Sequence, residues 1–336
     1  MKEFVIHKNE AGQRFDKYLH KLLKDLPTSM MYKFLRKKTI TLNGKKAEGN
    51  ELLSPNDVVK IFVSDETFEK FKGVSVSGKA AVDPRFFKTH IDILSTNNTD
   101  YLILNKPAGV LSQRAAQTDY SVVDFVKDYV TDRGILSEEE METFAPGICN
   151  RLDRNTSGLM IAGISLKGLQ VMNEAVKTRA LRKYYLAIVK GQMKEPKGIL
   201  TGFLSKDHAR NTVTVSGENS ADSTEIFTEY EVLKYENGVS LLKVHLITGL
   251  THQIRAHFAK IGHPLAGDLK YGDPKWNEEL KKCGVRRQML HSCELVFPES
   301  IAESFPGFPD DRTFRCNPPG DFMKAVGALF PSSPEI

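Results

Sequence analysis

The stretch FTEYEVLKYENGVSLLKVHLITG, residues 227–249, constrains the fold of this 336-residue chain more than any other part. Asn237-Gly238 is a dipeptide that accepts the positive φ angles of a tight two-residue turn. The flanking segments read as two strands about that turn, and strands so joined pair antiparallel. Further strand candidates are YLILNKPAG at 101–109, ended by a Pro-Ala-Gly turn, LMIAGIS at 159–165, and KYYLAIVKG at 183–191. Helical spacing recurs at Leu166, Leu169, Met172 and Val176 behind a capping Ser165. It recurs again in HQIRAHFAKIGHP, where Ile254, Phe258 and Ile261 share a face and Gly262 and Pro264 stop the helix. Strands and helices mix without regular βαβ alternation. The expected class is therefore α+β, on a mixed, mostly antiparallel β-sheet flanked by helices and loops.

The length suggests two domains. At 40% hydrophobic and 26% charged residues, the chain has an ordinary globular composition. No run approaches ~18 unbroken apolar residues, so no membrane span is expected. The start, MKEFVIHKNE, mixes both charge signs and lacks the apolar core of a secretory signal. The four cysteines form no Cys-x-x-Cys pair, which argues against a zinc site or a disulfide framework. Reduced thiols in a cytoplasmic protein are expected.

Charge is unevenly placed. Residues 1–60 hold 13 Lys/Arg and 7 Asp/Glu, a net of +6, while the remainder nets −1. Within that first segment, Phe15, Leu19, Leu22 and Leu23 keep helical spacing. After Pro27, Thr28 or Ser29 is placed to cap a second helix holding Met31, Phe34 and Leu35. TITLNGKKA carries a hairpin signal at Asn43-Gly44, and Val58, Val59, Ile61 and Val63 read as a closing strand. Lys33, Arg36, Lys37, Lys38, Lys45 and Lys46 are six basic residues with no acid among them. Such a run is either a solvated face or a surface that contacts phosphates. Residues 64–90 are polar and read as a linker.

RLDRNTSG, residues 151–158, sets one aspartate between two arginines and follows it with a turn and an apolar run. In an extended Arg151-Leu152-Asp153, alternation points Arg151 and Asp153 the same way and Leu152 inward. A carboxylate held beside a cation stays ionised and can act as nucleophile or base. The same residues also fit an ordinary Arg–Asp pair closing a turn. A second constellation, TGLTHQIRAHFAKIGHPLAGDLKYG, joins a polar turn, a helix bearing Arg255 and a Gly/Pro-rich loop. Its histidines do not form the His-Glu-x-x-His pattern, and neither dinucleotide nor phosphate-loop glycine motifs occur.

Taken in order, LNKPAG, NRLDRNTSG, KYYLAIVKG, THQIRAHFAKIGHPLAGD and LHSCELVFP resemble the RluA-type pseudouridine synthases over about residues 91–298. RFDKYL, SMMYKFLRKKTITLNGKK and LLSPNDVVKI resemble the small alpha-L RNA-binding module first known from a small-subunit ribosomal protein. The resemblances imply a module at 1–63, a linker at 64–90 and a catalytic domain at 91–336. They imply an isomerase that turns uridines of RNA into pseudouridine, in the branch acting on large-subunit ribosomal RNA. Asp153 matches the catalytic aspartate, and Arg151 an arginine that enters the RNA stack when the uridine leaves it. Tyr185 matches the tyrosine lying against the target base, and Arg255 the arginine paired with the aspartate. Lys106 and Pro107 match a structural motif near the site. The implied partner is RNA, contacted by the six basic residues of the module. No metal, cofactor or membrane is implied, and a monomer is expected. Two positions depart from the family pattern: Asn150, where many relatives carry histidine, and Leu250, where many carry arginine. Two other readings compete: a catalytically silent RNA-binding or ribosome-assembly protein, and a hydrolase with Asp268 as a second carboxylate.

Overall fold

The structure is a computed structural model that describes residues 1–72, 90–95, 98–116, 118–207 and 212–332. The N-terminal body holds β1 (Lys2–Val5), α1 (Phe15–Leu22), α2 (Thr28–Arg36), β2 (Ile40–Leu42), β3 (Val58–Ile61) and α3 (Asp65–Lys72). Its three strands pair antiparallel in the order β1-β3-β2. Phe15, Leu19 and Leu22 of α1 and Met31 and Leu35 of α2 close one small core over that sheet. Asn43 and Gly44 take φ of 51° and 72°, the tight turn that their chemistry favours. Pro27, not Thr28 or Ser29, occupies the position before α2, and no side chain caps that helix.

The stretch read as a linker begins with a helix. Phe68 of α3 is buried in the N-terminal core and Phe71 packs on it, one helical turn away. Those two rings anchor α3 although its other residues are polar. The rest of that stretch, 73–89, lies outside the described residues.

The C-terminal body is built on an eleven-stranded sheet. In chain order it contains β4 (Asp92–Ile93), β5 (Tyr101–Lys106), β6 (Gly147–Ile148), β7 (Ser157–Gly163), β8 (Arg182–Lys190), β9 (Lys197–Asp207), β10 (Thr212–Ser216), β11 (Ser223–Glu236), β12 (Val239–Leu246), β13 (Leu290–Val296) and β14 (Thr313–Arg315). The main path is β10-β9-β11-β12-β8-β13-β7-β5-β4, with β14 on β13 and β6 on β7. Every pairing is antiparallel except β13 with β7, so the sheet is mixed and mostly antiparallel. Asn237 and Gly238 turn β11 into β12 with φ of 51° and 74°. Helices α4 (Val122–Asp132), α5 (Glu138–Thr143), α6 (Leu166–Lys177) and α7 (Gln253–Lys260) flank the sheet. So do α8 (Pro274–Leu280), α9 (Glu299–Ser304) and α10 (Gly320–Leu329).

Ser165 caps α6, its hydroxyl accepting from the Gly168 amide at 2.9 Å. On α7, Ile254 and Phe258 are buried as the spacing requires, but Ile261 lies past the helix end and is exposed. Gly262 follows with φ of 83°, so the chain has already left the helical face. The two bodies touch where the Glu10 carboxylate accepts from the Thr143 hydroxyl and Lys72 pairs with Glu142 at 2.8 Å.

Candidate active site

RLDRNTSG forms a loop pinned from several directions. Lys106, at the end of β5, is fully buried, and its ammonium donates to the carbonyls of Pro107, Val110 and Arg154 at 2.9, 2.9 and 3.1 Å. Three acceptors match the three donors of a lysine. Burial pushes the Lys106 pKa down to about 7, with Arg287 acting in the same direction and Asp153 against it. The Gly109 amide and the Arg154 side chain add reciprocal bonds of 2.8 and 3.0 Å. Ser112 brackets Leu152, its hydroxyl donating to the Leu152 carbonyl at 2.6 Å and accepting from the Leu152 amide at 3.1 Å. Leu152 is thereby held in the core, and Arg151 and Asp153 both face one cleft. The turn after them is closed by the Thr156 amide donating to the Asp153 carbonyl at 3.0 Å. Gly158 then has φ of 114°, and a Cβ there would lie 2.2 Å from the Ser292 carbonyl oxygen. Only glycine lets β7 run that close beside β13.

Asp153 Oδ2 accepts from Arg255 Nη1 at 2.7 Å. The other edge of the same guanidinium binds Asp268 through Nε at 2.6 Å and Nη2 at 2.8 Å. Side-chain exposure rises along the series, from 0% for Asp268 to 7% for Arg255 and 23% for Asp153. The inner carboxylate fixes the guanidinium, and the guanidinium presents one free edge to the outer carboxylate. For Arg255, burial opposes the charge, but Asp268 and then Asp153 outweigh it and hold the guanidinium pKa above its ordinary value. For Asp268, burial pulls upward, but Arg255 and the Lys270 and Tyr271 amides hold its carboxyl below the ordinary value. Because both Asp268 oxygens are engaged and fully buried, Asp268 is not available as a second reacting carboxylate. That removes the basis of the hydrolase reading.

Tyr185, from β8, is buried on the wall of this cleft, and burial raises its pKa. The cleft has a volume of about 820 Å³. The fold thus brings Arg151, Asp153, Tyr185 and Arg255 to one place, with Arg151 exposed and without an ion pair to any described residue. The basic residues Lys33, Arg36, Lys37, Lys38, Lys45 and Lys46 are not part of it. All six are exposed on the N-terminal body, and none forms an ion pair with a described residue.

Sequence reasoning missed the supports behind these groups. Gln253 is buried at the start of α7. Its amide donates to the Phe227 carbonyl and the Thr228 hydroxyl, both at 3.0 Å, and its oxygen accepts from the Thr248 hydroxyl at 2.9 Å. This clamp ties α7, and so Arg255, to β11. Tyr271 lies beneath the Arg255 guanidinium, 5.1 Å from ring centroid to carbon, and its hydroxyl bonds His252 Nδ1 at 2.9 Å. Asp268 had a local signal: an aspartate followed by amides that it can accept from makes an Asx turn. Gln253 had none, because the partners that tie it to β11, Phe227 and Thr228, are more than twenty positions away.

The two departures from the family pattern sit differently. Asn150 turns inward, its Oδ1 accepting from the Ile161 amide of β7 at 2.7 Å. Leu250 lies on the cleft wall. Among the described residues, no group of three His, Cys, Asp or Glu side chains is arranged to hold a metal, and no helix is long and apolar enough to cross a membrane.

Comparison with known proteins gives a consistent picture. A family model described as RNA pseudouridylate synthase matches residues 100–260, which span β5 to the end of α7. The ribosomal large subunit pseudouridine synthase C of Pasteurella multocida is 29% identical over 339 residues, covering 98% of this chain and 94% of that protein. The protein of the same name from Haemophilus ducreyi is 28% identical over 315 residues, covering 92% of each. Among solved structures, human RNA pseudouridylate synthase domain containing 4 superposes with a TM-score of 0.57 at 21% identity, over 73% of this chain and 95% of that one. That last likeness is one of fold.

Proposed function

The chain belongs to the RNA pseudouridylate synthase family, and on that footing we propose that it isomerises specific uridines of large-subunit ribosomal RNA, with Asp153 as the catalytic residue. The observation that carries this reading is the series Asp268–Arg255–Asp153, which ends in one carboxylate at the mouth of a cleft. The reaction breaks the bond between N1 of uracil and C1′ of the ribose. The base turns, C5 bonds to C1′, the C5 proton is lost and N1 regains a proton. Atoms and electrons balance without an added oxidant, reductant or group donor, so no cofactor is called for.

The target base must first leave its stack, at a cost of a few kcal/mol. Arg151, exposed beside Asp153, is the side chain placed to fill the gap. Tyr185 supplies a flat wall for the extruded base. Asp153 then attacks C1′ or takes a proton from the sugar, and both routes need the ionised carboxylate that Arg255 favours. The bidentate clamp of Asp268 prevents Arg255 from swinging, so little is left to reorganise during reaction. Outside the cleft, the residues from Lys33 to Lys46 hold phosphates of the larger RNA. The module at 1–63 and the catalytic domain at 91–336 divide these tasks in a cytoplasmic protein acting as a monomer.

The test is Asp153→Asn, assayed for pseudouridine formation on a large-subunit ribosomal RNA transcript. We expect the rate to fall by roughly 10³-fold or more while RNA affinity stays near wild type. Near-wild-type turnover by a verified mutant preparation would end the assignment.

A further inference from the structure

β8 contributes two side chains to the same wall of the cleft, Tyr185 and, two residues earlier, Lys183. Lys183 is only 6% exposed. Its ammonium reaches the opposite lip, where a Cβ on Gly249 would come within 3.1 Å of it. It makes no hydrogen bond or ion pair with any described residue. Burial is the main influence lowering its pKa, and Arg179, of like charge, adds to it.

The other buried cations of this body are treated differently. Lys106 has three carbonyl acceptors. Arg287 is bound by both oxygens of Asp321 at 2.7 and 2.9 Å. Arg255 lies between two carboxylates. Buried charges in folded proteins are paired because an unpaired one loses its hydration and gains nothing. Lys183 has no such partner: its side chain is largely buried, but its ammonium keeps contact with solvent in the cleft, where an anionic group of the substrate can reach it.

We propose that Lys183 is a preformed anion subsite that takes a backbone phosphate of the RNA strand carrying the target uridine. This rests on the cleft being the uridine-isomerising site and adds the side chain that holds the strand there. A neutral uracil carbonyl would supply a hydrogen bond but would leave the buried charge uncompensated. A phosphate does both, and RNA offers one at every nucleotide. Gly249 serves the same end, since a larger residue would crowd the ammonium.

The test compares full-length wild type, Lys183→Met and Lys183→Arg. Each is measured for affinity to a large-subunit ribosomal RNA transcript across a salt series, for pseudouridine formation at saturating RNA, and for thermal melting without RNA. Lys183→Met should bind about tenfold more weakly at low salt. Its slope of log K against log salt should flatten by about 0.7, the loss of one phosphate contact on a single strand. The rate at saturating RNA should change far less than affinity. Lys183→Arg should restore the slope. The free Lys183→Met protein should melt at or above the wild-type temperature, because an unpaired buried charge has been removed. An unchanged slope with a reduced saturating rate would assign Lys183 to the base instead and overturn the phosphate subsite. A lower melting temperature would mean the ammonium has a structural partner, and would overturn it too. A wild-type protein that binds the transcript but forms no pseudouridine on it would instead overturn the functional reading beneath.

Discussion

Lys33, Arg36, Lys37, Lys38, Lys45 and Lys46 stand in solvent on the N-terminal body, whereas Arg255, Lys106 and Arg287 lie inside the C-terminal body with named acceptors. Both sets are positive. An exposed cation acts over a distance set by the salt, and its contacts with phosphate weaken as counterions compete. A buried cation bound at 2.6–2.8 Å on three sides acts only on what it touches, and salt screens it little. On the proposed function, the first region would gather the RNA and the second would act on one of its bases. Substitutions in the first should change the salt dependence of binding. Substitutions in the second should change rate and stability.

The largest effect outside Asp153 itself is expected for Arg255→Ala. It leaves Asp268 buried with its principal partner gone, and breaking a buried pair costs about 3–5 kcal/mol. Activity should be lost even below the melting temperature, because Asp153 loses its counter-charge. Arg255→Lys should rescue little, since an ammonium cannot bind two carboxylates through two edges. Thermal melting beside the rate at saturating RNA checks both statements, and a folded, fully active Arg255→Ala would break the contrast drawn above.

Asp268→Asn is expected next, with a smaller loss of stability because one hydrogen-bond acceptor remains, and a distinct pH signature. The Asp268 carboxyl is held below its ordinary value of 3.8 in the folded protein. Its contribution is thus complete above that value and lost as pH falls through the lowered one. Wild type and variant should differ most above about pH 4 and converge on further acidification. Denaturant melts from pH 2 to pH 6 measure it; a constant gap across that range would show that Asp268 is not ionised as described.

Much of this was legible beforehand, and the exceptions share a cause. Asn43-Gly44 and Asn237-Gly238 announced their turns because two adjacent residues set the required backbone angles. The capping of α6 by Ser165 is likewise a three-residue event. The order of RLDRNTSG, KYYLAIVKG and THQIRAHF pointed to one chemistry, yet it said nothing of how Arg255 is held. Asp268 is thirteen residues further on, and its meaning depends on a loop folding back beneath α7. The parallel pairing of β7 with β13 joins residues 157 and 291, and no local pattern reports it. α3 escaped because Phe68 and Phe71 are its only large apolar residues. Two rings suffice when a core already waits for them, but two do not make a readable period.

A smaller effect on the chemistry is expected from the exposed cluster. Replacing Lys37, Lys38 and Lys45 by glutamine should leave the melting temperature and the saturating rate near wild type. If each makes one phosphate contact, the slope of log K against log salt should flatten by about 2. The least effect is expected for Ser165→Ala, which removes the cap of α6 at a position that lines neither the cleft nor the basic cluster. It should cost about 1 kcal/mol of stability and change neither slope nor saturating rate.

The most direct test sets the two regions against each other on one RNA. Single-turnover pseudouridine formation and the salt slope of binding would be measured for wild type, Asp153→Asn and the triple glutamine variant on the same large-subunit ribosomal RNA transcript. The expected result is a double separation: Asp153→Asn keeps the wild-type slope and loses the reaction, while the triple variant keeps the saturating rate and loses part of the slope. An Asp153→Asn protein that still forms pseudouridine at the wild-type rate would contradict the account at its centre.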